Sequence, residues 1–336
     1  MSKRLYVAYT GGTIGMQPSN AGFIPAANFL QKFFDALPEQ SKDGFSFTFN
    51  EYEHLIDSSN ATPADWLTIA RDIQHAYDHH DAFLILHGTD TMSYTASALS
   101  FWLQGLDKPV IVSGSQIPYC MGRTDAISNV VNTLTWLKED ALSEVAVVFH
   151  DRLLRGNASS KVDATQMAAF DSPNQPWLGQ LAISAKADYR RWLTKPIHKP
   201  TWQLPSEAHN NVAMLRIYPG MNVKLIQAAL DSDETRGLIL LGYGVGNAPD
   251  ADLALMNTFS HYSARGRIIC VLSQCAKGTV SATYAAGARL AECGVIAGGN
   301  MTPEAAFTKL HVLLSQENTA EAVKQQMQIN LCGEMG

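Results

Sequence analysis

Short apolar runs and amphipathic stretches take turns along this chain. Runs that read as buried strands recur at Leu5–Tyr9, Phe83–Leu86, Val110–Val112 and Val145–Phe149. Helical patterns lie between them. The clearest opens at Thr62-Pro63, a capping residue followed by proline at the first helical position. Trp66, Ile69, Ile73 and Ala76 then share one face, with Asp65, Arg71, Asp72 and Gln74 elsewhere. A second helix is expected from Met92 to about Leu103. Alternation of this kind is the mark of a parallel sheet with helical crossovers.

From 185 to 211 the pattern lapses. Lys186, Arg190, Arg191, Lys195, Pro196, Lys199, Pro200 and Pro205 make the stretch charged and proline-containing, and 186–211 reads as a linker. Strand and helix then alternate again through Val212–Tyr218, Val223–Leu230, Gly237–Leu241, Asp252–His261 and Arg267–Leu272. Thr302-Pro303-Glu304 caps a later helix running through Leu314. The expected fold class is α/β. An N-terminal α/β domain (1–185) is expected to have a parallel-type sheet, and a smaller C-terminal α/β domain to span 212–336.

Composition narrows the function classes. The chain has 336 residues, 46% of them hydrophobic, with mean hydropathy −0.06, ordinary for a soluble globular protein. A formal charge of −6 argues against a nucleic-acid binder, which needs a basic face. Cys120, Cys270, Cys275, Cys293 and Cys332 are scattered, without a CxxC pair, and read as reduced thiols of a cytoplasmic protein. The apolar run in MSKRLYVAYTGG is too short for a signal-peptide core, and no stretch approaches the ~18 apolar residues of a membrane span.

Chemistry concentrates at two strand ends. YTGGTIG follows the first strand and LHGTDTM the second, each offering a threonine beside glycine. Loops at the carboxyl ends of parallel strands are where such sheets place their sites. Threonine is a weak nucleophile and needs a base or a cation that favours its alkoxide. Asp90 follows Thr89 directly, and Lys161 in RGNASSK follows the strand at Val145–Phe149 and can reach the same edge. A lysine beside a carboxylate and a hydroxyl can shuttle a proton. Gly11, Gly12 and Gly88 permit tight turns with backbone N–H groups free to meet an oxyanion. Each motif alone is more often a structural strand end, and Lys161 alone more often a solvated loop residue. His75, His79 and His80 sit at a helix end, where the dipole favours them, and no HExxH or cysteine cluster marks a metal site. Cys275 beside Gln274 could be a nucleophile, but without a positioned histidine it reads as a buried, inert thiol. Neither GxGxxG nor GxxxxGK[ST] is present, which counts against a nucleotide site.

Taken together, YTGGTIGM, ILHGTDTMSYTASALSF, IDSSN, VSGSQIP, RGN…K, SPN, YGVGNAP and TKLHVLLSQ resemble the bacterial type I (cytoplasmic) L-asparaginases over essentially the whole length. The resemblance implies the asparaginase/glutaminase fold with most of the active site on the larger N-terminal domain, a homodimer or homotetramer, and no cofactor or metal. It makes Thr13 the nucleophile and gives Thr89, Asp90 and Lys161 the proton transfer. Ser58, with backbone from Asp57 and Gly88, would hold the substrate α-carboxylate, and Asp90 the α-ammonium. Ser115 lies where the family's loop contacts the amide, and Asn247 approaches a neighbouring subunit's site. The order in which the two threonines act stays open.

Two positions depart from the pattern. Many members have a tyrosine at Phe23 that hydrogen-bonds to the nucleophile; either Tyr9 or Tyr94 serves instead, or the bond is dispensable. Members with a second, regulatory asparagine site use an arginine where Leu241 stands, although the candidate effector-site residue Cys275 is in place. The expected activity is hydrolysis of L-asparagine through an acyl-threonine intermediate. The alternatives are a broader asparaginase–glutaminase and a non-catalytic amino-acid sensor on the same fold.

Overall fold

The first apolar run becomes β1 (Lys3–Gly11), buried from Leu5 onward. Burial on both faces is what a strand inside a covered parallel sheet requires. The computed structural model describes every residue except Met1, Ala21, Ala26, Ala27, 281–284 and 317–318. The described chain forms two compact units: Met1–Ser172 with Pro176–Leu204, and Pro173–Gln175 with Pro205–Gly336.

In the first unit, β1 leads into a hairpin of β2 (Met16–Ser19) and β3 (Gly22–Pro25). There follow α1 (Phe29–Asp35), α2 (Glu39–Lys42) and the long β4 (Phe45–Ile56). Helix α3 (Pro63–Ala76) begins where its capping sequence places it, the Thr62 N–H donating to the Asp65 carboxylate at 2.7 Å. It buries Trp66, Leu67, Ile69, Ala70 and Ile73. Next come β5 (Ala82–Leu86), α4 (Met92–Trp102), β6 (Val110–Ser113), α5 (Ala126–Leu137) and β7 (Val145–Phe149). The strands β4-β1-β5-β6-β7 lie in that order, all parallel.

Beyond β7 the expected parallel sheet becomes mixed. β8 (Arg152–Arg155) returns antiparallel to β7. Only His150 and Asp151 separate the two, with His150 at φ 57°, and a parallel crossover needs a dozen or more residues. The two-stranded ribbon of β9 (Ser160–Lys161) and β10 (Phe170–Asp171) stands outside the sheet, whose edge is finished by antiparallel β11 (Gly179–Leu181) and β12 (Ala185–Ala187).

The stretch expected to be a linker is largely built into this unit. β12 takes its first residues, and Trp192 is buried, its indole N–H donating to the Leu178 carbonyl at 3.0 Å. Trp202 packs edge-on against Tyr77 and donates to the Gln104 carbonyl at 2.8 Å. One buried and one half-buried indole outweigh the charged and proline-rich composition around them. This stretch leaves the unit only after Leu204.

The second unit alternates β13 (Val212–Arg216), α6 (Val223–Asp231), β14 (Gly237–Gly242), α7 (Leu253–Ala264), β15 (Ile268–Ser273), α8 (Ala285–Glu292) and β16 (Ile296–Ala297). Two helices complete it, α9 (Pro303–Ser315) and α10 (Ala320–Met327). The four strands are parallel in chain order, with an apolar layer on each face. Lys309 on α9 is fully buried. Its ammonium donates to Glu334 and to the Met327 and Ile329 carbonyls at 2.6, 3.3 and 2.6 Å. Every proton of the ammonium has an acceptor, so removing Glu334 alone would strand a buried charge at a cost of about 3–5 kcal/mol.

His311 on the same helix is buried neutral, desolvation pulling its pKa down to about 4. Its stabilising effect is complete above pH ~6.5, the unfolded value, and is lost as pH falls toward about 4. Wild type should therefore lose about 3 kcal/mol of unfolding free energy over that window through this residue alone. Urea titrations at a series of pH values would show a shallower slope for His311→Phe. Identical slopes for both proteins would contradict the assignment.

Candidate active site

β4, β1 and β5 are neighbours, so the loops at their carboxyl ends lie side by side. Glycine lets those loops touch. Gly11 (φ +123°) and Gly12 (φ +89°) take conformations that side chains oppose. A Cβ on Gly12 would lie 2.3 Å from the Cα and N of Gly88, and one on Gly88 would lie 2.4 Å from the Ser58 hydroxyl oxygen. The Thr13 loop thus meets the Thr89 loop backbone to backbone, and the Thr89 loop meets Ser58. Thr13 opens a single 3-10 turn, Thr13–Gly15, and is half-buried.

Thr89 is buried, and Asp90 beside it reaches solvent. The Lys161 ammonium lies 2.8 Å from the Thr89 hydroxyl oxygen and 2.7 Å from the Asp90 carboxylate. The lysine is therefore held at proton-transfer distance from a hydroxyl. The Asp90 backbone N–H donates to Ser58 Oγ at 3.3 Å, and Thr91 Oγ1 donates to the Ser58 carbonyl at 2.7 Å. Asp57 caps the Ser58–Asn60 turn, accepting from the Ser59 N–H at 3.2 Å.

Lys161 arrives by an indirect path. After β8 the chain climbs along the serine-bearing face of α4. Ser97 Oγ donates to the Gly156 carbonyl at 3.4 Å, and Ser159 Oγ donates to Ser93 Oγ at 3.2 Å. Ser93, Ser97 and Ser100 share that face at helical spacing, and a Cβ on Gly156 would lie 3.0 Å from Ser100 Oγ. Small residues on both sides let the strand carrying Lys161 run close to the helix whose first turn follows Thr89.

His87, Asp125 and Asn129 were not singled out from sequence, yet they frame the site. The buried His87 Nδ1–H donates to the Gly88 carbonyl at 2.7 Å, and Nε2 accepts from Thr95 Oγ1 at 3.0 Å. These partners set the tautomer, and desolvation lowers the pKa, keeping the ring neutral. The orientation of the Gly88 peptide is fixed in consequence. Asp125, also buried, accepts from the Gln116 and Ile117 N–H groups and from Asn129 Nδ2 at 3.0, 2.9 and 3.0 Å. The only sequence signal for this pair was an Asp and an Asn four apart at a helix start, a pattern shared by ordinary caps.

Other candidates lie elsewhere or face another way. Ser115 is fully buried, and its hydroxyl donates to the Ile117 carbonyl at 2.8 Å within its own loop. Asn247 belongs to the second unit, where its backbone pairs with Tyr243 at 2.7 and 2.8 Å to close the turn after β14. Cys275, expected to be buried, is instead an exposed thiol, because it sits in the turn just past the end of β15 rather than on the strand. Leu241 packs on the second unit's core, and its partner in register on β13 is Arg216, which donates to Gln274 Oε1 at 3.1 Å. Phe23 is an exposed residue of β3. His80 caps α3, its Nδ1 lying 2.9 Å from the Ala76 carbonyl. No group of three or more metal-ligating side chains occurs among the described residues.

Its relatives make this α/β protein an amide hydrolase of the asparaginase/glutaminase kind. The chain matches the family "Asparaginase, N-terminal" over residues 4–194 and the "Glutaminase/Asparaginase C-terminal domain" over 211–327. It is 44% identical to L-asparaginase 1 of Escherichia coli (strain K12), covering 99% of this chain and 98% of that one. The crystal structure of L-asparaginase I from Vibrio cholerae O1 superposes with a TM-score of 0.90 at 42% identity over the full length of both chains. The thermostable L-asparaginase from Thermococcus kodakarensis gives 0.89 at 30% identity, covering 99% of each chain. The chain belongs to the asparaginase family, among the bacterial type I L-asparaginases.

The glycine contacts make a direct prediction. Gly88→Ala would drive its methyl group into Ser58 and displace that hydroxyl. Activity should fall at least tenfold, with the larger change in KM. A Gly88→Ala enzyme with unchanged kinetic constants would show that the close approach is unimportant.

Proposed function

We propose that the protein hydrolyses L-asparagine to L-aspartate and ammonia through a covalent acyl-threonine intermediate, without metal or cofactor. The observation that carries this reading is Lys161 seated 2.8 Å from the Thr89 hydroxyl and 2.7 Å from Asp90, on the loop that Gly88 joins to the Thr13 turn. Ser58 and the backbone beside Asp57 and Gly88 receive the α-carboxylate, and Asp90 receives the α-ammonium. The Thr13 oxygen then attacks the side-chain amide carbon. Backbone N–H groups around the glycine turns stabilise the oxyanion. The proton lost by Thr13 goes to the departing nitrogen, which leaves as ammonia. Water, activated through Thr89 and Lys161, attacks the ester and releases aspartate and free Thr13.

Glutamine is the competing substrate. One extra methylene shifts pocket discrimination by only ~1–3 kcal/mol, and the C-terminal family carries both activities in its name. Ammonia release from L-asparagine, L-glutamine and D-asparagine at matched concentrations, without added metal, decides between them. A tenfold or greater preference for L-asparagine is expected. Binding of asparagine without ammonia release would identify a sensor instead. Five free cysteines fit the reducing cytoplasm proposed for it.

Thr13→Ala should lower kcat by roughly 10³-fold or more, with circular dichroism unchanged. Thr89→Val and Lys161→Met should each cost on the order of 10²–10⁴-fold in kcat, as expected for proton transfer. Asp90→Asn should raise KM as well. A Lys161→Met enzyme with normal kcat and a high KM would move the lysine into substrate binding.

The second unit supports self-association. Val245 and Leu253, on either side of Asn247 in sequence, are 38% and 63% exposed, which leaves apolar surface beside it for a partner to cover. We assign this face to a subunit contact through which Asn247 completes a neighbour's site. Sedimentation at assay concentration should give a dimer or tetramer, and a fully active monomer would exclude this assignment.

A further inference from the structure

Tyr9 lies on β1 four residues before Thr13, its ring fully buried and packed on Phe29 with centroids 5.0 Å apart. The phenol ends against the nucleophile turn. A Cβ built on Gly15 would lie 2.1 Å from the Tyr9 oxygen. The hydroxyl therefore occupies the space of a side chain at 15, and the Thr13–Gly15 turn folds over it.

Among the described residues no group hydrogen-bonds to this hydroxyl, although it is closed off from solvent. Phenylalanine would fill the same space without burying an unpaired polar group, so the hydroxyl weakens the resting fold. Burial and the nearby Glu51 carboxylate raise its pKa, so it keeps its proton and is available as a donor. In the turn, the Gly12, Thr13 and Ile14 carbonyls already accept from the N–H groups of Gly15, Met16 and Tyr119. The bond between Gly15 and Gly12 is long, at 3.3 Å.

We propose that Tyr9 is a positioning residue for the nucleophile. When the Thr13–Gly15 turn tightens around bound amide, the phenol donates to an oxygen of the turn and holds Thr13 in its attacking geometry. A donor idle at rest and engaged only in the reacting state raises kcat without tightening ground-state binding. The residue touches neither substrate nor the reacting atoms. The inference rests on Thr13 as nucleophile, as proposed above.

Tyr9→Phe removes one oxygen and keeps the ring. We expect kcat for ammonia release to fall about tenfold, KM to stay within twofold and Tm to hold or rise. Product aspartate should slow amide hydrogen exchange at Ile14, Gly15 and Met16 in the wild type but less in Tyr9→Phe. A variant with kcat within twofold of wild type would overturn the proposal. So would a variant whose kcat and Tm fall together, because that marks a bond already made at rest. The Thr13→Ala enzyme separates the two failures. If it retains turnover, the nucleophile assignment and this inference both fall; if it is inactive while Tyr9→Phe is fully active, only this inference does.

Discussion

Two backbones can touch only where neither carries a side chain, and this protein uses that constraint at its centre. β1 and β5 are adjacent parallel strands, so the loops leaving them start about 4.8 Å apart. Most residue pairs at that separation would push the loops apart. Gly12 and Gly88 let the loops close, and Gly88 admits the Ser58 hydroxyl from the β4 side. The two threonine-bearing loops become neighbours through the sheet's own spacing plus the missing side chains. Because the contact is made by backbone, it is stiff, which is what reacting groups need for alignment.

Other features serve to bring charge to that contact and hold it. Lys161 comes from far along the chain, past β8 and along the serine face of α4, to meet Thr89 and Asp90. Beneath it, His87 remains neutral and holds the Gly88 carbonyl. Asp125 is a buried carboxylate with backbone donors, so it braces the neighbouring loop 115–117 without adding reactivity. Charge thus reaches solvent at Asp90 and is neutralised or fully hydrogen-bonded below, which keeps the desolvation cost of the site low.

Much of this was legible in the residues because local physics governs it. β5 and β7 are wholly buried apolar runs, and α3 and α9 carry cap-and-proline starts that the fold keeps. The two threonine loops could be named because glycine and threonine at strand ends are local signals. What the glycines touch was not legible, since Gly12 and Gly88 are distant in sequence. The same holds for Tyr9 against Gly15, where a buried phenol and a glycine look like ordinary core and turn. β4 alternates Phe45, Phe47 and Phe49 with Ser46, Thr48 and Asn50, a period-two pattern that could have been read as a half-buried edge strand. The 186–211 stretch was misleading for a different reason: composition counts its charges, while Trp192 and Trp202 decide where it packs.

The central claim is that Thr89 and Lys161 work as one unit, and a double-mutant cycle tests it most directly. The kcat values of wild type, Thr89→Val, Lys161→Met and the double variant are compared at one pH with L-asparagine saturating. If the hydroxyl and the amine are consecutive stations of one proton path, losing either breaks it. The double variant should then be no slower than the worse single variant, within about threefold. Losses that multiply, so that the double variant is slower by the product of the two single effects, would show that Thr89 and Lys161 act independently and would contradict the account.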